Sequence, residues 1–243
     1  MSKLHSANFA PTTDHHIMSK HKIMGILLFL AGLIMLTCTG CSQEEEKELM
    51  VESDNEGEII IVAVGDSLTA GYGLAEEESY PAILGKKLRS EGYNCRVVNS
   101  GVSSETSSGL LSRVEWVLGL NPDIVILETG ANDGLRGIDP DMVEKNIRDI
   151  LFRLKDAEVI TVLAGMKMVW NLGPVYVKKF NGIYPRLADE FDIIFMPFFL
   201  KDVAMKSDLA LRDGLHPNGD GYKIIADNIY PYVLEAVMRK QNL

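Results

Sequence analysis

Histidine and cysteine are scarce where they would matter most. Of five histidines, His5, His15, His16 and His21 fall in the first 21 residues, which leaves His216 alone for the rest of the 243-residue chain. Of three cysteines, Cys38 and Cys41 close an apolar run and only Cys95 lies beyond. A body with one His and one Cys cannot build a zinc site of the usual types or close an internal disulfide, so no metal and no cofactor is expected. Basic residues are outnumbered, 24 Lys and Arg against 34 Asp and Glu, and the formal charge is −10 with no basic stripe. Nucleic acid is therefore not an expected partner, because phosphate neutralisation needs clustered Lys and Arg. An imidazole base in the body would have to be His216.

The first 58 residues read as an address. Ile23–Leu36 is a 14-residue run without a charge, preceded by Lys20 and Lys22. That is short of the roughly 20 residues a membrane-spanning helix needs, and it matches the apolar core of a secretory signal. The run ends Thr37-Cys38-Thr39-Gly40-Cys41-Ser42. A small residue before a cysteine resembles the lipobox of bacterial lipoproteins, with cleavage after Gly40 and a diacylglyceryl thioether on Cys41. Cys38 stands where that pattern usually has Leu. Residues Met1–Ile17 are unlike a signal's basic flank, and Met18-Ser19-Lys20 reads as the better start. Ser42–Glu58 carries eight acidic residues and one Lys, the composition of a solvated, self-repelling tether. As a random coil it reaches about 20–25 Å. The expected division is a signal over 1–40, an acidic tether over 41–58 and a folded domain over 59–243. The expected location is the cell envelope, on a membrane through the lipid anchor; a secreted or periplasmic protein is the alternative.

The body has a different texture. Ile59–Val64 is a continuous branched apolar run closed by Gly65, the mark of a strand buried on both faces. Cys95–Asn99, Asp123–Leu127, Val159–Ala164 and Ile193–Met196 read as further strands. Helical spacing falls between them, over Tyr80–Glu91, Ser107–Leu118, a segment opened by Asp139-Pro140, and Tyr184–Phe191. A last helix over Tyr222–Met238 is expected to be interrupted or kinked near Pro231. The alternation predicts one doubly wound α/β domain, with a five-stranded, mostly parallel sheet flanked by helices. In such a sheet, ligands bind beyond the carboxyl ends of the strands.

The residues at those ends are chemically consistent. After the first strand stands Gly65-Asp66-Ser67-Leu68, a serine on a tight strand-to-helix turn. After the second stands Asn99-Ser100-Gly101-Val102-Ser103-Ser104-Glu105-Thr106, a loop of small residues. After the third stands Gly130-Ala131-Asn132-Asp133, whose Asn side chain can donate to developing negative charge. Late in the chain stands Asp213-Gly214-Leu215-His216-Pro217, an Asp three residues before the lone His. Each motif alone is commonplace: an N-cap, a loop, an Asx turn, a chance pair. Their combination in this order resembles the SGNH, or GDSL, hydrolase family, in its thioesterase I/protease I/lysophospholipase branch, often labelled arylesterase. The longer stretches Leu127–Gly137 and Ile183–Ala188 share in the likeness.

That resemblance implies a serine esterase acting on short or medium acyl esters, acyl-thioesters or lysophospholipids. It implies Ser67 as nucleophile, His216 as general base and Asp213 as the group that orients His216. It implies an oxyanion hole made of the Ser67 amide, a loop amide at Ser104 and the Asn132 side chain. Family members usually carry Gly where this chain has Ser104; the donor is a backbone N–H, so the departure touches conformation and not the donor. Trp170 and Leu172, in the segment Val169–Pro174, are expected to line an acyl groove. A carbohydrate O-deacetylase and a non-catalytic envelope binding lipoprotein are the alternatives.

Attachment should depend on Cys41. The precursor is expected to incorporate labelled fatty acid and to sediment with membranes, and Cys41→Ser to abolish the label. A mature protein that is unlabelled and begins elsewhere would show Cys41 to be a bystander near an ordinary cleavage site.

Overall fold

The computed structural model describes residues 57–168 and 172–242. The expected signal, the lipidation residue Cys41, nearly all of the tether and Trp170 lie outside the described residues. Glu58, the last tether residue, already belongs to the folded body, where its carboxylate pairs with Arg96 at 3.1 Å.

Five parallel strands form one sheet in the order β2-β1-β3-β4-β5. They are β1 (Ile59–Gly65), β2 (Cys95–Gly101), β3 (Ile124–Glu128), β4 (Ile160–Ala164) and β5 (Ile194–Met196). The helices are α1 (Ser67–Ala70), α2 (Tyr80–Ser90), α3 (Ser107–Leu118), α4 (Ala131–Leu135), α5 (Pro140–Asp156), α6 (Pro174–Asn181), α7 (Ile183–Phe191) and α8 (Gly219–Gln241). The doubly wound α/β fold expected from the alternation is the one observed, with every strand pairing parallel. The short helices α1, α4 and α6 were not expected. α1 and α4 have four and five residues, too few for two turns of apolar periodicity, and α6 buries only Val177 and Phe180.

The branched runs make the centre of the sheet because their side chains are buried on both faces. Ile61, Val62 and Ala63 of β1 and Ile124, Ile126 and Leu127 of β3 are inaccessible to solvent. Each such side chain contributes about 1.5–3 kcal/mol relative to exposure. Helices α2 and α8 pack together, as do α3 and α5 and, next to them, α5 and α7. β1 connects leftwards to β2, and the chain then crosses back to β3 on the other side of β1. Right-handed crossovers in opposite directions put the connecting helices on opposite faces and leave a crevice at the carboxyl ends of β1 and β3.

Register decides what fills that crevice. Val64 pairs with Leu127, so Gly65 stands level with Glu128. A Cβ on Gly65 would overlap the Thr69 hydroxyl and the Glu128 carboxylate. Gly65 is therefore required for space, with an ordinary backbone. On its other side Gly65 pairs with Gly101, where a Cβ would collide with the Ala70 amide of α1. The two glycines let α1 settle directly on the strand ends.

Helix α8 corrects one expectation: it runs unbroken from Gly219 to Gln241 with Pro231 inside it. Buried Ile225, Ala226, Ile229, Val233, Ala236 and Val237 anchor it on both sides of the proline, which sits on the exposed face. Packing overrides the missing N–H. Among the described residues, no helix is long and apolar enough to cross a membrane. Because Pro231 is exposed, Pro231→Ala should restore a helical donor without losing contacts. The expected gain is about 1–3 kcal/mol, read as a higher urea midpoint at unchanged m-value. A lower midpoint would mean that the proline supports the local geometry.

Candidate active site

Ser67 is the first residue of α1, set there by Asp66. The Asp66 carboxylate caps the helix by accepting from the Leu68 amide at 2.9 Å. As the first helical residue, Ser67 has an N–H without an intrahelical acceptor, and it faces the crevice. Tyr222 of α8 reaches the Ser67 carbonyl with its hydroxyl at 3.4 Å.

His216 arrives from the far end of the chain. Its loop is clamped by Leu211 N–H donating to the His216 carbonyl at 2.7 Å and Asn218 N–H donating to the Leu209 carbonyl at 2.9 Å. Asn218 then caps α8, its side chain accepting from the Asp220 and Gly221 amides at 3.1 and 3.0 Å. The cap fixes where α8 begins and hence where His216 stands. Its Nε2 lies 2.9 Å from Ser67 Oγ, across 149 residues of sequence. Its Nδ1 lies 2.7 Å from Asp213 Oδ2. The other oxygen of Asp213 accepts from the Leu215 and His216 amides at 2.9 and 3.0 Å. These bonds, that of the imidazole first, lower the Asp213 carboxyl to about 2. A serine hydroxyl so placed can pass its proton to the imidazole as the oxygen attacks a carbonyl, and an ionised Asp213 holds the ring in the tautomer required. Tyr72 covers the imidazole, with ring centroids 4.6 Å apart.

Donors for a developing oxyanion lie around the same opening. Asn132, on α4, gives one N–H of its amide to Asp66 Oδ2 at 3.0 Å, and the second has no acceptor among the described residues. Asp133, beside it, turns inward and accepts from the Ser107 amide and hydroxyl at 2.8 and 2.6 Å, tying α4 to the start of α3. Ser104 lines the opening with φ +67, the left-handed region that favours glycine. Serine holds it at a cost of about 1–2 kcal/mol. Two arginines brace the loop against that strain. Arg136 donates to the Ser104 carbonyl at 2.9 Å. Arg113 forks onto Glu105, both bonds at 2.7 Å, and also holds the Ser100 carbonyl at 2.8 Å. The Ser104 amide has no acceptor among the described residues. The Gly101 amide, three residues earlier, is engaged with Asn99 Oδ1 at 3.0 Å.

Beyond Ser67 a cavity of about 670 Å³ opens, with Leu135, Met166, Met168, Phe198, Leu200 and Met205 among its lining residues. Trp170 lies outside the described residues, and Leu172 is not among the lining residues. Among the described residues the groove is built from the ends of α4 and β4 and the loop after β5. Among the described residues, no group of three or more His, Cys, Asp or Glu side chains is placed to hold a metal ion.

Sequence reasoning passed over three residues that organise this site. Asp66 binds both α1 and Asn132. Glu128, wholly buried, accepts from the Asp66 amide at 3.2 Å and the Thr69 hydroxyl at 3.0 Å. Burial and then the Asp66 charge push its carboxyl well above the usual range, and burial raises Asp66 as well. Arg136 was invisible. A signal for Glu128 did exist, as an acid directly following the apolar run Ile124–Leu127.

Comparison with known proteins agrees with this geometry. Residues 63–224 match the model of the GDSL-like Lipase/Acylhydrolase family. An arylesterase of Vibrio mimicus is 32% identical over 202 residues, 83% of this chain and 95% of that protein. The thioesterase 1/protease 1/lysophospholipase L1 of Escherichia coli (strain K12) is 39% identical over 168 residues, 69% of this chain and 79% of that protein. In structure, the psychrotrophic esterase EstA from Pseudoalteromonas sp. superposes with a TM-score of 0.69 at 34% identity, over 72% of this chain and 97% of its own. The chain belongs to the GDSL-like lipase/acylhydrolase family and is an ester-bond hydrolase of the SGNH type.

Proposed function

We propose that the protein hydrolyses acyl esters or thioesters through an acyl-enzyme on Ser67. The observation that carries this is the unbroken relay from Asp213 through His216 to Ser67, at 2.7 and 2.9 Å, opening onto an apolar cavity. His216 takes the Ser67 proton as Oγ attacks the carbonyl. The tetrahedral oxyanion is met by the Ser67 and Ser104 amides and the second N–H of Asn132. His216 returns the proton to the departing alcohol or thiol, and water repeats the cycle on the acyl-enzyme. Inhibition of the relative EstA by monoethylphosphonate is consistent with this chemistry.

Substrate choice follows from the cavity. Methionine, leucine and phenylalanine side chains suit an alkyl chain and offer little to a sugar, which favours short or medium acyl esters, acyl-thioesters or lysophospholipids over a carbohydrate acetyl ester. The intact relay argues against a binding protein that has lost its activity. We place the enzyme in the envelope of a bacterium, held at a membrane by a lipid on Cys41; the support is the apolar run and Gly40-Cys41 of the sequence.

Ser67→Ala or His216→Ala is expected to lower kcat by roughly 10⁴-fold with the fold intact, since no other imidazole lies in the body to substitute. Asp213→Ala should lower it less. Substantial turnover by purified His216→Ala protein would remove the mechanism. Asn132→Ala should cost about 10²–10³-fold in kcat. Ser104→Gly should stay within about tenfold, because glycine adopts the same backbone with less strain. An acyl-length series on oxygen esters and thioesters should show kcat/KM rising beyond acetyl; a maximum at acetyl would favour the deacetylase.

A further inference from the structure

Glu128 ends β3 beneath the start of α1, with no solvent exposure. Its Oε2 already accepts twice, from the Asp66 amide at 3.2 Å and the Thr69 hydroxyl at 3.0 Å. Its Oε1 has no hydrogen-bond partner among the described residues. A buried carboxylate oxygen left without a donor carries a full desolvation penalty, whereas an oxygen that bears a proton can donate instead. The neighbouring acceptor is the carboxyl group of Asp66, the residue whose amide Glu128 already holds at 3.2 Å. Asp66 is engaged on both oxygens, by the Leu68 amide at 2.9 Å and by Asn132 at 3.0 Å, and a carboxylate oxygen has a lone pair to spare for a further donor.

The surroundings leave no other way to neutralise the pair. The phenols of Tyr80, Tyr184 and Tyr222 face Glu128, and burial keeps each of them protonated. Asp133 adds negative charge nearby, acting with Glu128 on Tyr184. His216 also acts electrostatically on Asp66, favouring its ionised form. Among the described residues no Lys or Arg pairs with Glu128, whose side-chain hydrogen bonds come from the Asp66 amide and the Thr69 hydroxyl. Two carboxylates in contact in so dry a place cannot both ionise.

We propose that Glu128 is a positioning residue of the esterase, a carboxylic acid whose Oε1–H donates to the Asp66 carboxylate and so fixes the Asn132 amide for the oxyanion. Asp66 then receives three donors, from α1, from α4 and from β3, and the Asn132 side chain can turn only by breaking that set. Neutrality matters as much as position. An ionised Glu128 would put a second buried anion behind the point where the oxyanion forms and oppose the reaction. The inference rests on the reading of Asn132 as an oxyanion donor.

The proton also links to stability. In the unfolded chain a glutamate ionises above about pH 4.3, whereas native Glu128 keeps its proton well beyond that. The native state thus binds more protons in that window, and stability must fall as pH rises through it. Glutamine has no proton to lose.

The test compares Glu128→Gln, Glu128→Ala and Asn132→Ala in the full chain. At neutral pH, infrared difference spectra of native against Glu128→Gln protein should show a buried carboxylic-acid C=O stretch that the variant lacks. Glu128→Gln, whose amide can donate to Asp66 and accept from Thr69, should keep kcat within about threefold. Glu128→Ala should lose kcat by about 10²-fold at little-changed KM, the scale of a misplaced catalytic group. The melting temperature of Glu128→Gln should gain on the native protein as pH rises from about 4.3. Absence of the band, or a glutamine variant as damaged as the alanine one, overturns the proposal. If Glu128→Ala does not fold, the band and the glutamine variant still decide. Full activity in Asn132→Ala with the band present would overturn the link to the oxyanion and leave the protonated pair standing, so the two failures are told apart.

Discussion

The Asp66 carboxylate joins three elements that sequence keeps far apart. One oxygen starts α1 and thereby sets Ser67 in place; the other holds Asn132 of α4; behind both stands Glu128 of β3. This works only because of the sheet. β1 and β3 are neighbours, and their register sets Gly65 level with Glu128 at the point where the connections diverge. Without a side chain at Gly65, the carboxyl of one strand can reach the helix start of the other. The branched apolar cores of the strands make the register rigid, since a slip of one residue would send every buried side chain to the opposite face and break the packing on both. The chemistry at the strand ends inherits that rigidity.

The remaining half of the site is built by a different device. His216 lies on a loop, where precision is usually hard to keep. Here the loop is short and bound at both ends: the backbone bonds of Leu211 and Asn218 close it, and the Asn218 cap fuses it to α8. Asp213 acts inside this loop, orienting the imidazole with one oxygen and bracing the backbone with the other. α8 packs against α2 and the sheet, so His216 and Ser67 are each referred to the same core. The Ser104 loop is the exception. It is exposed, strained at φ +67 and kept in shape by Arg136 and Arg113, which makes it the part of the proposed oxyanion site most open to change by mutation.

Much of this was legible in the residues. The strands announced themselves as apolar runs, and their ends told where to look for Ser67, Asn132, Asp213 and His216, which the structure brings around one opening. The departure at Ser104 was visible as well, and the structure shows how serine fills a glycine-like conformation. What was hidden depended on packing or pairing. Pro231 reads as a breaker in one dimension, but its exposed position and flanking buried residues keep α8 whole. Leu172 looked like a groove residue because it is apolar and near the right loop, whereas the cavity draws on Met166, Phe198 and Met205; Trp170 lies outside the described residues. Asp66 passed as part of a motif, and its link to Asn132 appears only when β1 and β3 are set side by side.

The central claim is that Ser67 becomes acylated with His216 as its base. The most direct measurement is peptide mass mapping of the protein after treatment with a fluorophosphonate ester, alongside loss of esterase activity. The account requires one added phosphonate group, on the peptide that contains Ser67, with inactivation in step with labelling and no label in Ser67→Ala. Label on another residue, or full hydrolytic activity in protein quantitatively modified at Ser67, would contradict it.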